Sequence, residues 1–189
     1  MTNDQIFNLS TKVPGWMWDE EIAFLIETAS AFTNKITWVE IGTHIGKSLL
    51  AVGLSLPTNS TLFSVDISWG EATKEGQTAH NTVRNLISRR PDLKVIMCKC
   101  DSFEASEFLQ DKSADVVFID GDHSYEVVRK DIELWKHKVK PDGLLLGHDY
   151  HENHPGVIKA VNERFNTLVH GSIWEVIGEK GNKQLELRL

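Results

Sequence analysis

Apolar and polar positions change their period several times along this 189-residue chain. From residue 36 onward, short runs rich in β-branched and aromatic residues alternate with stretches of helical period. The short runs are Ile36 to Ile41, Thr61 to Asp66, Lys94 to Cys100, Asp115 to Asp120 and Gly143 to Gly147. Val116-Val117-Phe118-Ile119 is continuously apolar, as expected of a parallel strand covered by helices on both faces. Between these runs the spacing predicts helices over Gly46 to Ser55, Gln77 to Arg90, Phe103 to Gln110 and Ser124 to Lys138. In the last, Ser124 is placed as an N-cap, and Val127, Val128, Ile132 and Trp135 form one apolar stripe. Asp19 to Phe32 is a further amphipathic helix carrying Ile22, Leu25, Ile26 and Ala29, and another helix is predicted from Pro155 to about Asn166. Ser172 to Gly178 and Gln184 to Leu189 then read as a terminal hairpin turning at Gly181-Asn182. The alternation predicts an α/β doubly wound, mostly parallel sheet with an antiparallel carboxy-terminal addition. With no repeat or linker, residues 1–189 read as one domain: a helical cap or lid over 1–35 and a core over 36–189.

Composition narrows the partners. Twenty basic against 27 acidic side chains give a formal net charge of -7, which argues against a nucleic acid held through its phosphates. No apolar run is long enough to span a bilayer, and Met1-Thr2-Asn3-Asp4-Gln5 lacks the basic-then-apolar pattern of a signal peptide. The expectation is a cytoplasmic protein with no membrane partner. Cys98 and Cys100 read as small buried residues in a reducing compartment.

The segment Glu40-Ile41-Gly42-Thr43-His44-Ile45-Gly46-Lys47-Ser48 nearly matches a phosphate-binding loop. Such a loop needs four residues between its first glycine and its Gly-Lys-Ser/Thr, and only three separate Gly42 from Gly46. A nicotinamide site wants G-x-G-x-x-G, which Thr43-His44 interrupts. Other polar residues fall at consecutive strand ends. Asp66 ends the second run, twenty residues after Gly46, where a carboxylate can accept from both hydroxyls of a ribose. Asp101 and Ser102 follow the third run, where a carboxylate can accept from an adenine amino group. These features leave three cofactors in competition: a nucleoside triphosphate, a nicotinamide dinucleotide and S-adenosylmethionine, which has a ribose and adenine but no phosphate.

The Glu40-to-Ser48 segment resembles the first motif of class I S-adenosylmethionine-dependent methyltransferases. Asp66 matches their second-strand acid, and the terminal hairpin matches their sixth and seventh strands. The resemblance covers roughly residues 36 to 189 and implies a Rossmann-like fold. It implies that Glu40, Gly42, Thr43, Gly46 and Ser48 surround the methionine portion, that Asp66 with Ile67 holds the ribose, and that Asp101 and Ser102 lie near the adenine. Lys47 becomes an ordinary solvated helix residue, and Trp69 is a candidate to lie over the adenine.

Phe118-Ile119-Asp120-Gly121-Asp122-His123-Ser124-Tyr125 follows the fourth run, and the fifth ends in Gly147-His148-Asp149-Tyr150. Adjacent strand ends bring Asp120 and Asp149 into one crevice, where two carboxylates can share a hard divalent cation such as Mg²⁺. A cation lowers the pKa of a hydroxyl nucleophile, and a neighbouring imidazole such as His123 can take its proton. This half resembles a metal-dependent branch of the superfamily that includes O-methyltransferases acting on antibiotic sugars and proteins grouped with cephalosporin hydroxylase. That resemblance makes Asp120 and Asp149 metal ligands and His123 a general base. His148 departs from the branch. As a ligand it softens the site and leaves Mg²⁺, Mn²⁺ or Fe²⁺ open. His151 and His154 extend the histidine cluster at spacings of three and read as polar loop residues, with a zinc site as the alternative, and Trp16 and Trp18 are candidates for a lid or for packing against the sheet edge. The reading is metal-assisted O-methylation of a small hydroxylated molecule, sugar or phenolic, by a chain compatible with a homo-oligomer. The rivals are a P-loop-like phosphotransferase using Lys47, Ser48 and Asp120, and a cofactor-binding module without catalysis.

Overall fold

The computed structural model describes residues 1–69 and 73–180. Five parallel strands, β1 (Thr37–Ile41), β2 (Thr61–Val65), β3 (Lys94–Cys98), β4 (Ala114–Ile119) and β5 (Val139–Gly147), are followed by β6 (Phe165–His170) and β7 (Ile173–Glu179). Helices α1 (Asn3–Ser10) and α2 (Asp19–Ser30) precede the sheet. The helices α3 (Lys47–Ser55), α4 (Lys74–Arg89), α5 (Ser102–Ser106), α6 (Tyr125–Trp135) and α7 (Pro155–Asn162) connect its strands. The strand order is β3-β2-β1-β4-β5-β7-β6. It reverses between β1 and β4, so their carboxyl ends, paired at Ile41 and Ile119, flank the topological switch point where such sheets bind ligands.

Strand alternation divides the core in two. Trp38, Leu62, Val116, Phe118 and Leu146 face α1 to α4 with Ile22, Leu25, Leu49 and Leu86. Val39, Phe63, Val65, Val117 and Ile119 face α5 to α7 with Ile132, Trp135 and Val161. Burying each of these large side chains contributes about 1.5–3 kcal/mol. No helix among the described residues is long and apolar enough to cross a membrane.

Several elements differ from the sequence reading. The hairpin forms one step earlier: Ile173–Glu179 pairs with Phe165–His170 across Gly171-Ser172, and β7 also pairs antiparallel with β5. Gly171, at φ +66, supplies the left-handed turn residue. The predicted helix to Asn166 stops at Asn162, and Gln184 to Leu189 lies outside the described residues. Strand β5 begins earlier than predicted, at Val139, which pairs with Ala114; the register then shifts across Lys140-Pro141-Asp142-Gly143, and regular pairing resumes at Val116 and Leu144. Helix α1, missed in the sequence, is closed by a capping box between Thr2 and Gln5. Trp69 is buried in the first core cluster and does not line the ligand cavity.

Candidate active site

The carboxyl ends of all five parallel strands open into one cavity of about 780 Å³. Gly42, Thr43 and Ser48 enter it from the loop after β1 and the start of α3. Asp66 and Ile67 enter after β2, Asp101 and Ser102 after β3, Asp120 and His123 after β4, and His148 and Asp149 after β5. Of the residues assigned in the sequence to the cofactor, the cation or catalysis, only Glu40 and Gly46 lie off the wall; of the flanking candidates, Trp16 and His154 line it and Trp18, Trp69 and His151 do not.

Gly42 has φ +83, and a Cβ there would stand 2.0 Å from the Asp120 carbonyl oxygen. Glycine is therefore demanded by the approach of the loop to the end of β4, before any ligand is considered. The loop closes on Asp66. Its Oδ2 accepts from the backbone amides of Thr43 at 2.9 Å and His44 at 2.6 Å, and its Oδ1 accepts from the Ser68 amide at 2.7 Å and hydroxyl at 2.5 Å. Gly46, at φ +85, starts α3. Lys47 is not solvated: its Nζ donates to the Met17 carbonyl at 2.7 Å and ties α3 to the segment before α2.

Behind the loop, Glu40 is fully buried. Ser48 Oγ donates to its Oε1, and its buried Oε2 has no partner. Burial pushes its carboxyl up to about 8. The Ser48 bond opposes that rise, and the negative charges of Asp120 and Asp66 reinforce it.

Asp101 caps α5, its Oδ1 accepting from the Phe103 and Glu104 amides at 2.9 and 2.8 Å. Ser102 Oγ donates to Asp131 Oδ1 at 2.5 Å. Asp131 belongs to α6 and lines the cavity, and burial pushes its carboxyl up to about 6. Within an amphipathic helix nothing local distinguishes it from a surface acid, and the sequence reading missed it.

At the other end, His148 is buried between carboxylates. Its Nδ1 lies 3.3 Å from Asp120 Oδ1 and 3.4 Å from Asp149 Oδ2, and its Nε2 lies 3.0 Å from Glu21 Oε2. Burial alone would lower this imidazole, but the surrounding Asp120, Asp149 and Glu21 outweigh it and push it up to about 12. Burial raises the Asp120 carboxyl despite His148. Asp149 goes the other way: burial raises it, but its bond to His148 together with the charges of His148, His123 and His154 outweighs that rise. Glu21, 1% exposed, is also held below the usual carboxylate range: bonds from His148, Ser172 and the Trp18 amide overcome its burial. Its Oε1 accepts from the Ser172 amide at 2.7 Å and hydroxyl at 2.6 Å. Glu21 thus fixes the ring of His148 from behind and aims Nδ1 at the two aspartates.

These three groups fit a divalent cation, which on binding would displace the proton that the carboxylates otherwise hold on His148. The Nδ1-to-oxygen separations of 3.3 and 3.4 Å exceed the roughly 2.7–2.9 Å of a charge-assisted hydrogen bond. They suit donors sharing one ion at about 2.0–2.2 Å each. The Glu21 contact to the far nitrogen is the outer carboxylate that metal-bound histidines usually have. Asp149 holds this position with φ +61, a strained conformation for a non-glycine residue. His123 Nε2 reaches Asp149 Oδ2 at 2.7 Å.

A family model described as a methyltransferase domain matches residues 39–150, more than half of the chain. The chain belongs to this methyltransferase-domain family. A curated relative, the uncharacterized protein y4gI of Sinorhizobium fredii, is 29% identical over 123 residues. That match takes in 59% of the methyltransferase chain and only 13% of the relative's length. Among solved structures, a Corynebacterium glutamicum protein superposes with TM-score 0.64 at 14% identity, covering 92% of this chain and 88% of that one. An S-adenosylmethionine-dependent O-methyltransferase of Thermotoga maritima gives 0.61 at 15% identity, covering 88% and 56%. The S-adenosylhomocysteine-bound Podospora anserina methyltransferase PaMTH1 gives 0.59 at 11% identity, covering 92% and 86%. At these identities the likeness is one of fold. The matched segment of the methyltransferase holds the glycine loop, Asp66, Asp120, His123, His148 and Asp149, but Glu21, His154 and Ser172 fall outside it.

Proposed function

We propose that this methyltransferase transfers the methyl group of S-adenosylmethionine to a hydroxyl of a small molecule, assisted by a divalent cation, with Mg²⁺ the reference ion. The observation that carries the reading is the charge of the cavity. Among the described residues its wall presents six aspartates, Asp66, Asp101, Asp120, Asp122, Asp131 and Asp149, against one lysine, Lys47, and the cationic imidazole of His148. That lysine is already bonded to Met17. Such a wall disfavours a triphosphate or a dinucleotide and favours a ligand bearing a sulfonium and an ammonium. The size suits a nucleoside-bearing ligand, since pockets of this kind span about 300–1,000 Å³.

In this reading the methionine portion lies along the Gly42–Ser48 loop, in front of Glu40. Asp66 faces the ribose, and the exposed Ser68 hydroxyl bond is the one a ribose hydroxyl replaces. Asp101, Ser102 and Asp131 face the adenine. Asp120, His148 and Asp149 hold the cation, which when bound lowers the pKa of the acceptor hydroxyl. His123 takes the hydroxyl proton. Its Nε2 is engaged with Asp149, which leaves Nδ1 to accept. Asp149 then orients the ring and stabilises the imidazolium that forms. The acceptor enters beside Trp16, which stacks on His44 with ring centroids 4.9 Å apart while 82% exposed. A polar hydroxylated acceptor, with no nucleic acid or membrane partner and a cytoplasmic setting, completes the proposal.

Calorimetric titration tests it. S-adenosylhomocysteine should bind, and more tightly than ATP. Binding of ATP with no heat from S-adenosylmethionine or S-adenosylhomocysteine would sink the reading and return the loop to the phosphotransferase alternative.

A further inference from the structure

His154, which the proposed reaction does not use, sits beside His123 and Asp149. His154 Nε2 lies 3.5 Å from Asp149 Oδ1, and His123 Nε2 lies 2.7 Å from Asp149 Oδ2, so the carboxylate offers one oxygen to each imidazole. The two rings are 4.3 Å apart at their centroids and inclined by 52°, not stacked. Donor atoms of all three residues fall within 4.8 Å of one another.

The backbone fixes this cluster. His154 precedes α7 at the N-cap position yet makes no capping bond to the helix, so its side chain is spent on the cavity. A Cβ on Gly156 would meet the His123 carbonyl oxygen and the Tyr125 amide nitrogen, each at 2.7 Å. The start of α7 is therefore pressed against the His123–Tyr125 backbone, which sets the distance between the two histidines. The strained φ of Asp149 places its carboxylate between them.

We propose that His123, His154 and Asp149 form a second, nitrogen-rich cation site that takes a transition-metal ion such as Zn²⁺, Co²⁺ or Fe²⁺ in preference to Mg²⁺. Two imidazoles and one carboxylate are the donor set of borderline ions, whereas Mg²⁺ seeks oxygen ligands. The site is distinct from the Asp120–His148–Asp149 set and shares only Asp149 with it. It is also more open, its members being 44%, 31% and 18% exposed. Resting on the reading of His123 as proton acceptor, occupancy here competes with catalysis, because the ion claims the imidazole that would take the proton.

Equilibrium dialysis against Co²⁺, read with the visible absorption of the bound ion, decides the matter without any turnover. In excess Mg²⁺ the wild-type protein should keep one Co²⁺ per chain with absorption bands of imidazole ligation. His154→Ala and His154→Gln should weaken that ion at least about tenfold, since even an outer-shell change weakens metal binding by about 10–100-fold. Asp120→Asn should retain it. Full displacement of Co²⁺ by Mg²⁺ in the wild type, or unchanged Co²⁺ affinity in both His154 variants, would overturn the second site. Neither result depends on S-adenosylhomocysteine binding, so failure of the methyltransferase reading would be seen separately.

Discussion

Glu40→Gln gives the most quantitative test of the site's electrostatics. Glu40 is fully buried, with one oxygen bonded by Ser48 and the other unpartnered, and its carboxyl is pushed from 4.5 to about 8. An acid whose folded value is raised keeps its proton in the folded state while the unfolded chain releases it. Between these two values the unfolded state binds fewer protons, so stability falls as pH rises. Below the unfolded value the group contributes no penalty, and above the folded value the penalty is complete. Integrating this difference from roughly pH 5 to pH 8 gives a loss of roughly 3–4 kcal/mol from this one group. Glutamine matches the shape of the protonated acid and can still accept from Ser48. The stability of the variant relative to the wild type should rise by roughly 3–4 kcal/mol between roughly pH 5 and pH 8. Urea unfolding at a series of pH values measures this. Other titrating groups cancel in the difference between the two proteins. A difference that stays flat with pH would show that Glu40 is ionised when folded and that its burial has been offset by a partner.

Three further outcomes are expected. His123→Ala should slow methyl transfer by about 10²–10⁴-fold while leaving the calorimetric affinity for S-adenosylhomocysteine unchanged. A parallel loss of that affinity would remove His123 from the acid–base role. Glu21→Gln, which loosens the ring of His148, should weaken divalent-cation binding by about 10–100-fold in calorimetric titration. Unchanged cation affinity would show that His148 is not a ligand. Gly42→Ala, with a Cβ directed at the Asp120 carbonyl, should cost at least about 2 kcal/mol in chemical denaturation and displace the end of β4. A neutral effect would mean that the loop and β4 are less closely joined.

How much of this was legible in the chain follows the range of each interaction. Strand β4 was visible because its continuous apolar run Val116 to Ile119 reflects burial on both faces, a local consequence of the parallel sheet, and β1 and β2 because short β-rich runs there alternate with stretches of helical period. Asp66, Asp101, Asp120 and Asp149 were visible because topology alone puts strand-end residues in the crevice. Glu21 was not. It meets His148 across 127 positions and Ser172 across 151, and within its own helix it looks like a first-turn acid. His154 read as a loop residue because its neighbour His123 is thirty-one positions away. The first two residues of β6, Phe165 and Asn166, read locally as the tail of a helix and the rest as no element, since its buried and exposed positions alternate only weakly. Lys47 drew attention as a phosphate ligand, then as a solvated residue, and is instead a tether to Met17, a contact no spacing rule encodes.

The position of Glu21 also constrains how the molecule can be made. Its carboxylate is buried and satisfied by a residue of β5's end and by the turn between the last two described strands. On the ribosome, the helix carrying Glu21 emerges long before Ser172 has been synthesised. Until then this helix cannot dock fully without stranding an anion in an apolar layer. The early half of the chain is thus held back from its final packing, and the His148 end of the cavity is completed only when the closing hairpin arrives. A nascent chain stalled before residue 172 should expose the first helices to protease, and one extended past the hairpin should protect them.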